Sequence, residues 1–149
     1  MIRSFDGGFL ERVMNDPSVL PSISRGKPVL MGHVLEDTNN VFLSNDYGGF
    51  LFLKHSPGVY DLHTQFLPEG RGAAVLIAGR DAAWYMFTET DCELLRTYAL
   101  KSNRAASLMA LRAGFIKTGE SETYDGEEAT LYAMTIKQWA RNLCQQPSH

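Results

Sequence analysis

The chain has little of what several protein classes require. Its two cysteines, Cys92 and Cys144, are too few for the disulfide framework of a small secreted domain. A net charge of −3 gives no bulk positive field, so no nucleic-acid partner is expected. There is no apolar run of about 18 residues and no apolar signal core at the start, so we expect neither a membrane partner nor a secretory leader. The predicted compartment is the cytoplasm.

Metal-ligand spacing is also lacking. The four histidines and the two cysteines form no C-x-x-C or H-x-x-x-H pattern, so no metal cofactor is expected. What is present is an ordinary globular composition, with 44% hydrophobic and 21% charged residues in a chain of 149. Residues 1–149 are therefore expected to form a single domain. The oligomeric state stays open, with a homodimer as one option.

Hydrophobic spacing in the first half predicts short helices followed by strands. A helix is expected over residues 8–15, and a turn or short helix over 19–23. Residues 28–35 fit a helix that begins at Pro28, and a strand over 29–35 fits almost as well. After a loop at 37–40, three antiparallel strands are expected over 41–44, 50–54 and 59–66.

The second half alternates between helices and strands. A long helix is predicted over 71–88, followed by a strand over 93–100 that should pair in parallel with 59–66. A helix over 103–112 should end at Gly114, with Phe115 as the apolar contact behind it. Strands over 115–123 and 128–136 are joined by an Asp125-Gly126 hairpin signal, and a helical turn is expected over 138–144. The fold class is therefore α+β, with one parallel pair in a mostly antiparallel sheet.

Two glycines lie between the third strand and the long helix. Gly70 and Gly72 would allow the backbone to approach a ligand closely, and the helix start would offer unpaired N–H groups to an anion. This pattern indicates a phosphate-binding turn. Turn geometry alone would explain the same two glycines, so a second motif is needed.

The second motif is Asn103 and Ala106 at the start of a helix that ends at Gly114-Phe115. With both motifs in place, residues 41–136 resemble the GNAT superfamily of N-acetyltransferases, and most of all phage and bacterial members that read His-Thr-x-Phe-Leu-Pro-Glu-Gly-Arg-Gly. The family's Arg/Gln-x-x-Gly-x-Gly/Ala motif matches residues 67–72, except that Leu67 replaces Arg or Gln. The resemblance implies a GNAT-like mixed, mostly antiparallel sheet with a central parallel strand pair and helices on both faces.

The resemblance also implies an activity. Acetyl-CoA would be the co-substrate, and the acetyl group would pass by direct attack to a primary amine of a protein or small molecule. The implied cofactor-binding residues are Phe66, Leu67, Gly70, Arg71, Gly72, Ala73, Asn103 and Ala106. Asn103 has a structural alternative, because asparagine is a common helix N-cap.

The proton-transfer groups are less constrained. Strand alternation puts Asp61, His63 and Gln65 on one face. His63 is the first candidate for the base, because an unperturbed imidazole titrates near pH ~6.5. Asp61 is the second, and a water relay is a third. Many family members have, where this chain has Ala110, a tyrosine that acts as the general acid and protonates the departing thiolate. Another group or a water would then supply that proton, or the thiolate would leave unprotonated, or the chain would be a CoA-binding or partner-binding protein with little or no activity.

Overall fold

A computed structural model describes residues 1–24, 27–124 and 126–145. Seven strands form one sheet: β1 Ile2–Ser4, β2 Val41–Asn45, β3 Gly48–Ser56, β4 Val59–Phe66, β5 Leu94–Leu100, β6 Ile116–Tyr124 and β7 Glu127–Thr135. Five α-helices accompany them: α1 Gly7–Asn15, α2 Leu20–Ile23, α3 Ala73–Glu89, α4 Arg104–Arg112 and α5 Ile136–Gln145. Single 3-10 turns cover Gly32–Glu36 and Pro68–Gly70.

The strand order is β1-β2-β3-β4-β5-β7-β6. Strands β4 and β5 are parallel, with Val59 opposite Leu94 and Asp61 opposite Arg96. The pairs β1/β2, β2/β3, β5/β7 and β6/β7 are antiparallel. The predicted fold class, with its single parallel pair, is therefore confirmed.

The chain packs as two compact units. The first contains Met1–Lys54 and Leu62–Ala83, and the second contains His55–Asp61 and the chain from Trp84 onward. The single domain remains a prediction. Across the described ranges, none of the helices combines the length and the apolar character that a membrane crossing needs. Those same ranges hold no group of three or more His, Cys, Asp or Glu residues that could bind a metal ion.

The core of the first unit follows from the predicted amphipathic helix α1. Asp6 caps this helix by accepting a hydrogen bond from the Phe9 N–H at 3.0 Å, which satisfies one of the donors that a helix start leaves unpaired. Leu10 and Met14 lie on its buried face. They pack with four further buried side chains, those of Val29, Leu35, Phe42 and Leu51.

Both predictions for residues 28–35 are wrong. The segment before Gly32 has no regular secondary structure, and the 3-10 turn covers Gly32–Glu36. The physical reason lies in two side-chain bonds: Asn15 donates to the Val29 carbonyl at 2.8 Å and accepts from the Val29 N–H at 2.6 Å. The Val29 backbone groups are therefore used by Asn15 and not by a helix or a strand ladder.

In the second unit the predicted ends of α4 are confirmed. Asn103 caps the helix by accepting from the Ala106 N–H at 3.1 Å. At the other end Gly114 has φ +101°, and the Phe115 N–H donates to the Ala110 carbonyl at 3.0 Å. This is the bonding of a glycine-terminated helix with a buried apolar residue behind it.

Two terminal elements differ from the prediction. The three-residue strand β1 was not predicted, because Ile2 is exposed and the segment is too short to show a burial pattern. Helix α5 is longer than the predicted turn, and its Trp139 ring stacks on Phe87 with centroids 5.0 Å apart. Of the predicted Asp-Gly hairpin, Asp125 lies outside the described residues, whereas Gly126 has φ +79°.

Candidate functional site

The candidate phosphate-binding turn runs from the end of β4 to the start of α3. The Leu67 N–H donates to the Tyr47 carbonyl at 2.8 Å, and the Gly70 N–H donates to the Leu67 carbonyl at 2.9 Å. The chain then passes through Gly72 at φ +88° and enters α3 at Ala73. A φ of this sign is readily adopted only by glycine, so the sequence dictates the abrupt entry into the helix.

The two glycines of this turn have different roles. Gly70 is buried, and a Cβ there would overlap the Cβ of Tyr47. Gly72 is exposed, and a Cβ there would have no neighbour within 4 Å among the described atoms. Gly70 therefore permits close packing, whereas Gly72 leaves open space in front of the helix start.

The electrostatics of the helix start favour an anion. Helix α3 has 17 residues and carries no acidic side chain in its first turn. The first N–H groups of a helix have no intrahelical acceptor and lie at the positive end of its dipole. Ala73 and Ala74, the first two residues of α3, are exposed and directly follow Gly72. A helix start of this kind suits a phosphate group, which is the ligand that the glycine pattern predicts there.

Arg71 holds the turn in place. Its Nε donates to the Phe66 carbonyl at 3.0 Å, and its Nη2 donates to the Ser18 carbonyl at 2.8 Å. The side chain remains exposed and positively charged, because carbonyl partners do not neutralise a guanidinium. Arg71 therefore adds positive potential at the helix start while it fixes the backbone around it.

Phe66 and Leu67 are placed differently from each other. The Phe66 side chain is buried and packs edge-to-face on Phe50, with centroids 5.2 Å apart. The Leu67 N–H is bonded to Tyr47, as described above. A ligand at this turn would therefore not contact the Phe66 ring, which belongs to the core of the first unit.

The predicted strand face that holds His63 and Gln65 is not uniform. His63 is exposed, whereas Gln65 is 2% exposed. The Gln65 Nε2 donates to the Gly49 carbonyl at 2.8 Å, and its buried Oε1 has no hydrogen-bond partner within the described ranges. Sequence reasoning missed this buried amide. The alternation of side chains along a strand predicts which side of the sheet a residue faces, but not how deeply it is buried.

In the second unit Asp61 is held by an arginine that the sequence reasoning did not single out. Arg96 donates from Nε to Oδ1 at 2.7 Å and from Nη2 to Oδ2 at 3.1 Å. This hydrogen bond to Asp61 is the main cause that raises the pKa of Arg96. The parallel register, which sets Asp61 opposite Arg96, is the signal that could have revealed the pair. Both carboxylate oxygens of Asp61 therefore already accept hydrogen bonds.

The second motif shows a capping geometry. The Asn103 side-chain oxygen accepts a hydrogen bond from the Ala106 N–H, so each of these two groups already has a partner. Ala110, where many GNAT members have a tyrosine, is buried and has no ionisable group. Lys101, beside Asn103, pairs with Glu128 at 2.8 Å.

Known proteins resemble this chain in structure and not in sequence. Neither a protein-family model nor a curated protein matches the sequence. Among solved structures, a spermidine N-acetyltransferase from Vibrio cholerae in complex with CoA and spermine has a TM-score of 0.75 at 12% identity, over 93% of this chain and 95% of that one. The aminoglycoside acetyltransferase AAC(6')-Ib in complex with coenzyme A and kanamycin has a TM-score of 0.70 at 15% identity, over 91% and 92% of the two chains.

These likenesses cover nearly the whole chain at low identity, and what they establish is the architecture. They give no support for the narrower resemblance to phage proteins. The chain is therefore similar in fold to a spermidine N-acetyltransferase and an aminoglycoside acetyltransferase whose structures contain coenzyme A. Its own mixed sheet, with one parallel pair, is the GNAT-like fold that the sequence predicts.

Proposed function

We propose that this chain is an acetyl-CoA-dependent N-acetyltransferase that transfers an acetyl group to a primary amine of a protein or a small molecule. The observation that carries the proposal is the start of α3, where Gly72, Ala73 and Ala74 are exposed and a Cβ at Gly72 would have no neighbour within 4 Å. A helix start of this kind suits the diphosphate of a CoA thioester. The fold shared with coenzyme A-bound acetyltransferases supports the same ligand.

In this proposal the main chain of Gly72 and Ala73 binds the diphosphate, and Arg71 contributes positive potential. Gly70 lets the turn pack against Tyr47. Phe66 and Leu67 contribute through the position of their backbone, because the Phe66 side chain is in the core. Asn103 and Ala106 are assigned to the cofactor by the resemblance alone.

Acetyl-CoA, when bound, supplies an activated acetyl thioester. The chain must then remove a proton from the ammonium form of the acceptor, because only a neutral amine is nucleophilic. We assign this step to His63, which is exposed and can exchange protons with solvent. Asp61 is the weaker candidate, because both of its oxygens already accept from Arg96.

A second function is favoured by one observation. Ala110 cannot donate a proton, and its buried methyl group leaves the tyrosine of many GNAT members without a counterpart at that position. A protein that binds CoA and a partner, with little or no turnover, would need no such acid.

The two functions are separated by following free thiol released from acetyl-CoA, with a panel of primary amines and a cell extract as acceptors. The enzyme proposal predicts thiol release that depends on the acceptor and yields an acetylated product of matching mass. Tight cofactor binding with no release above the rate without acceptor would support the binding protein instead.

The role of His63 has its own test. His63→Ala should lower kcat/KM at neutral pH by about 10²-fold and remove the rise in rate that accompanies deprotonation of an imidazole. The pH–rate profile of the variant is compared with that of the wild type and of His33→Ala, a second exposed histidine. If the rate of His63→Ala still rises with pH as the wild-type rate does, His63 is excluded as the base.

A further inference from the structure

A glutamate lies between two tyrosines on strands β5 and β6 of the second unit. The Tyr98 hydroxyl donates to Glu122 Oε1 at 3.2 Å, and the Tyr124 hydroxyl donates to Oε2 at 2.8 Å. The two rings meet edge-to-face, with centroids 5.9 Å apart. An ionised carboxylate has about four acceptor positions, so each oxygen can still accept a further hydrogen bond. The tyrosines therefore orient Glu122 without saturating it.

The sheet register explains how this cluster forms. Strand β7 lies between β5 and β6, and its Ala129 is opposite Leu100 on one side and Glu122 on the other. Residues opposite each other share a face, as do residues two apart, so Tyr98 lies on the same face as Ala129 and Glu122. Because Ala129 has only a methyl group, Tyr98 can reach Glu122 across β7.

The cluster carries a negative charge that its own partners do not neutralise. Both donors to Glu122 are neutral, and no lysine or arginine of the described ranges forms an ion pair with it. Burial, followed by the bond to Glu122, raises the pKa of Tyr124 to about 12 and also raises that of Tyr98. Both hydroxyls therefore stay protonated and donate at neutral pH. The nearby Arg96 is hydrogen-bonded to Asp61, which is the main cause that raises its pKa, and Glu122 makes a smaller contribution to the same shift.

We propose that Tyr98, Glu122 and Tyr124 bind the ammonium group of an alkylamine. The carboxylate accepts charge-assisted hydrogen bonds from the ammonium, and the ring faces attract a cation. Tyr124 is 46% exposed and Glu122 is exposed, so a ligand can reach the cluster from solvent. The inference rests on the proposed function only where this alkylamine is taken to be the acetyl acceptor.

The test is an NMR titration of the full chain with n-butylamine hydrochloride at pH 7, with n-butanol as the neutral ligand of similar shape and sodium chloride as the ionic-strength control. We expect saturable shifts of the backbone amides around Tyr98 and Tyr124 with butylammonium, and none with butanol or salt. Equal shifts with butanol or with salt would overturn the proposal. This comparison needs no variant, so it does not depend on whether a substituted chain folds.

Variants then assign the contacts. Glu122→Gln should raise the Kd for butylammonium about tenfold, because it removes the charged acceptor. Tyr124→Leu should raise it about threefold more than Tyr124→Phe, because only the former removes a ring face. The matched control is Glu120→Gln, which makes the same charge change on the same strand and should leave Kd within about twofold. An unchanged Kd in Glu122→Gln, or an equal loss in Glu120→Gln, would contradict the assignment.

Two sources of the alkylammonium are separated by comparing butylamine with a lysine-containing tripeptide. Tighter binding of the tripeptide would indicate a lysine side chain of a protein, and equal or weaker binding would indicate a small amine. Affinity for CoA is measured separately on the same sample. Amine binding without CoA binding would retain this site and remove the acetyltransferase proposal, whereas the reverse would remove only the amine site.

Discussion

At the residue scale, two glycines that look equivalent in the sequence have different reasons to be glycine. Gly70 is fixed by packing, since any Cβ would collide with Tyr47. Gly72 is fixed by its backbone conformation, with φ +88° and open space around it. Sequence spacing alone predicts a turn for both and cannot separate a packing constraint from a conformational one.

This difference predicts that Ala and Asn destabilise the protein in opposite orders at the two positions. At Gly72, Ala should cost about 1–2 kcal/mol of unfolding free energy and Asn less, because Asn tolerates a left-handed conformation better. At Gly70, Asn should cost more than Ala, because the larger side chain meets Tyr47 with more overlap. Urea unfolding of the four variants measures both orders. The same order at both positions would contradict this account of the turn.

The two cysteines also differ. Cys92 is buried, and burial raises the pKa of its thiol to about 12, whereas Cys144 is exposed. We expect iodoacetamide at pH 8 to modify Cys144 in the folded protein and to reach Cys92 only after unfolding, because the thiolate is the reactive form. Mass spectrometry of the digested protein gives the extent of modification at each residue.

The same shift has a pH consequence. A folded thiol that keeps its proton while the unfolded thiol loses it above about pH 8.5 makes the folded state relatively less stable as pH rises. The contribution of Cys92 is therefore complete below that pH and is lost progressively towards pH 12. Cys92→Ala should weaken this decline in alkali, and an identical decline in the variant would assign it to other groups.

At the element scale, the sequence predicted most helices and strands because their signals are local. The bounds of β4, the cap at Asn103 and the stop at Gly114 match the structure. The predictions of secondary structure are wrong or missing where a contact with a residue distant in sequence determines the conformation. Asn15 takes both backbone groups of Val29, and β1 exists only because β2 pairs with it.

The candidate site shows the same division. The exposed helix start at Ala73 follows from the glycine pattern, which is local. The Asp61–Arg96 pair joins residues 35 positions apart, and the Tyr98–Glu122 bond joins residues 24 positions apart. Such contacts depend on strand order and register, which periodicity does not supply.

A backbone approach between α1 and the 3-10 turn gives an element-scale prediction. A Cβ at Gly32 would overlap the Gly7 carbonyl, whereas a Cβ at Gly8 would make only ordinary contacts. Gly32→Ala should therefore cost about 1–3 kcal/mol of unfolding free energy. Gly8→Ala should instead gain about 0.5–1 kcal/mol, because alanine favours a helix. Urea midpoints measure both, and a neutral Gly32→Ala would contradict the close approach.

At the scale of the whole molecule, the fold persists at 12–15% identity to the compared acetyltransferases. In this chain the order of elements and the single parallel pair define that fold, and Gly72 sets the entry to α3. These features are set by hydrophobic pattern and turn residues, which many sequences satisfy. In our proposal the choice of amine depends instead on particular side chains, those of Tyr98, Glu122 and Tyr124.

The central claim is that main-chain N–H groups at the start of α3 bind the diphosphate of a CoA thioester. Its most direct test is calorimetric titration of CoA into the wild type, Ala73→Glu and the neutral control Ala73→Gln. A glutamate in the first turn suits the helix dipole, so the fold should be retained, but it would repel a diphosphate. The account predicts saturable binding to the wild type, a loss of at least about tenfold in Ala73→Glu, and near wild-type affinity in Ala73→Gln. Equal affinity of all three proteins, or no binding by the wild type at millimolar CoA, would contradict it.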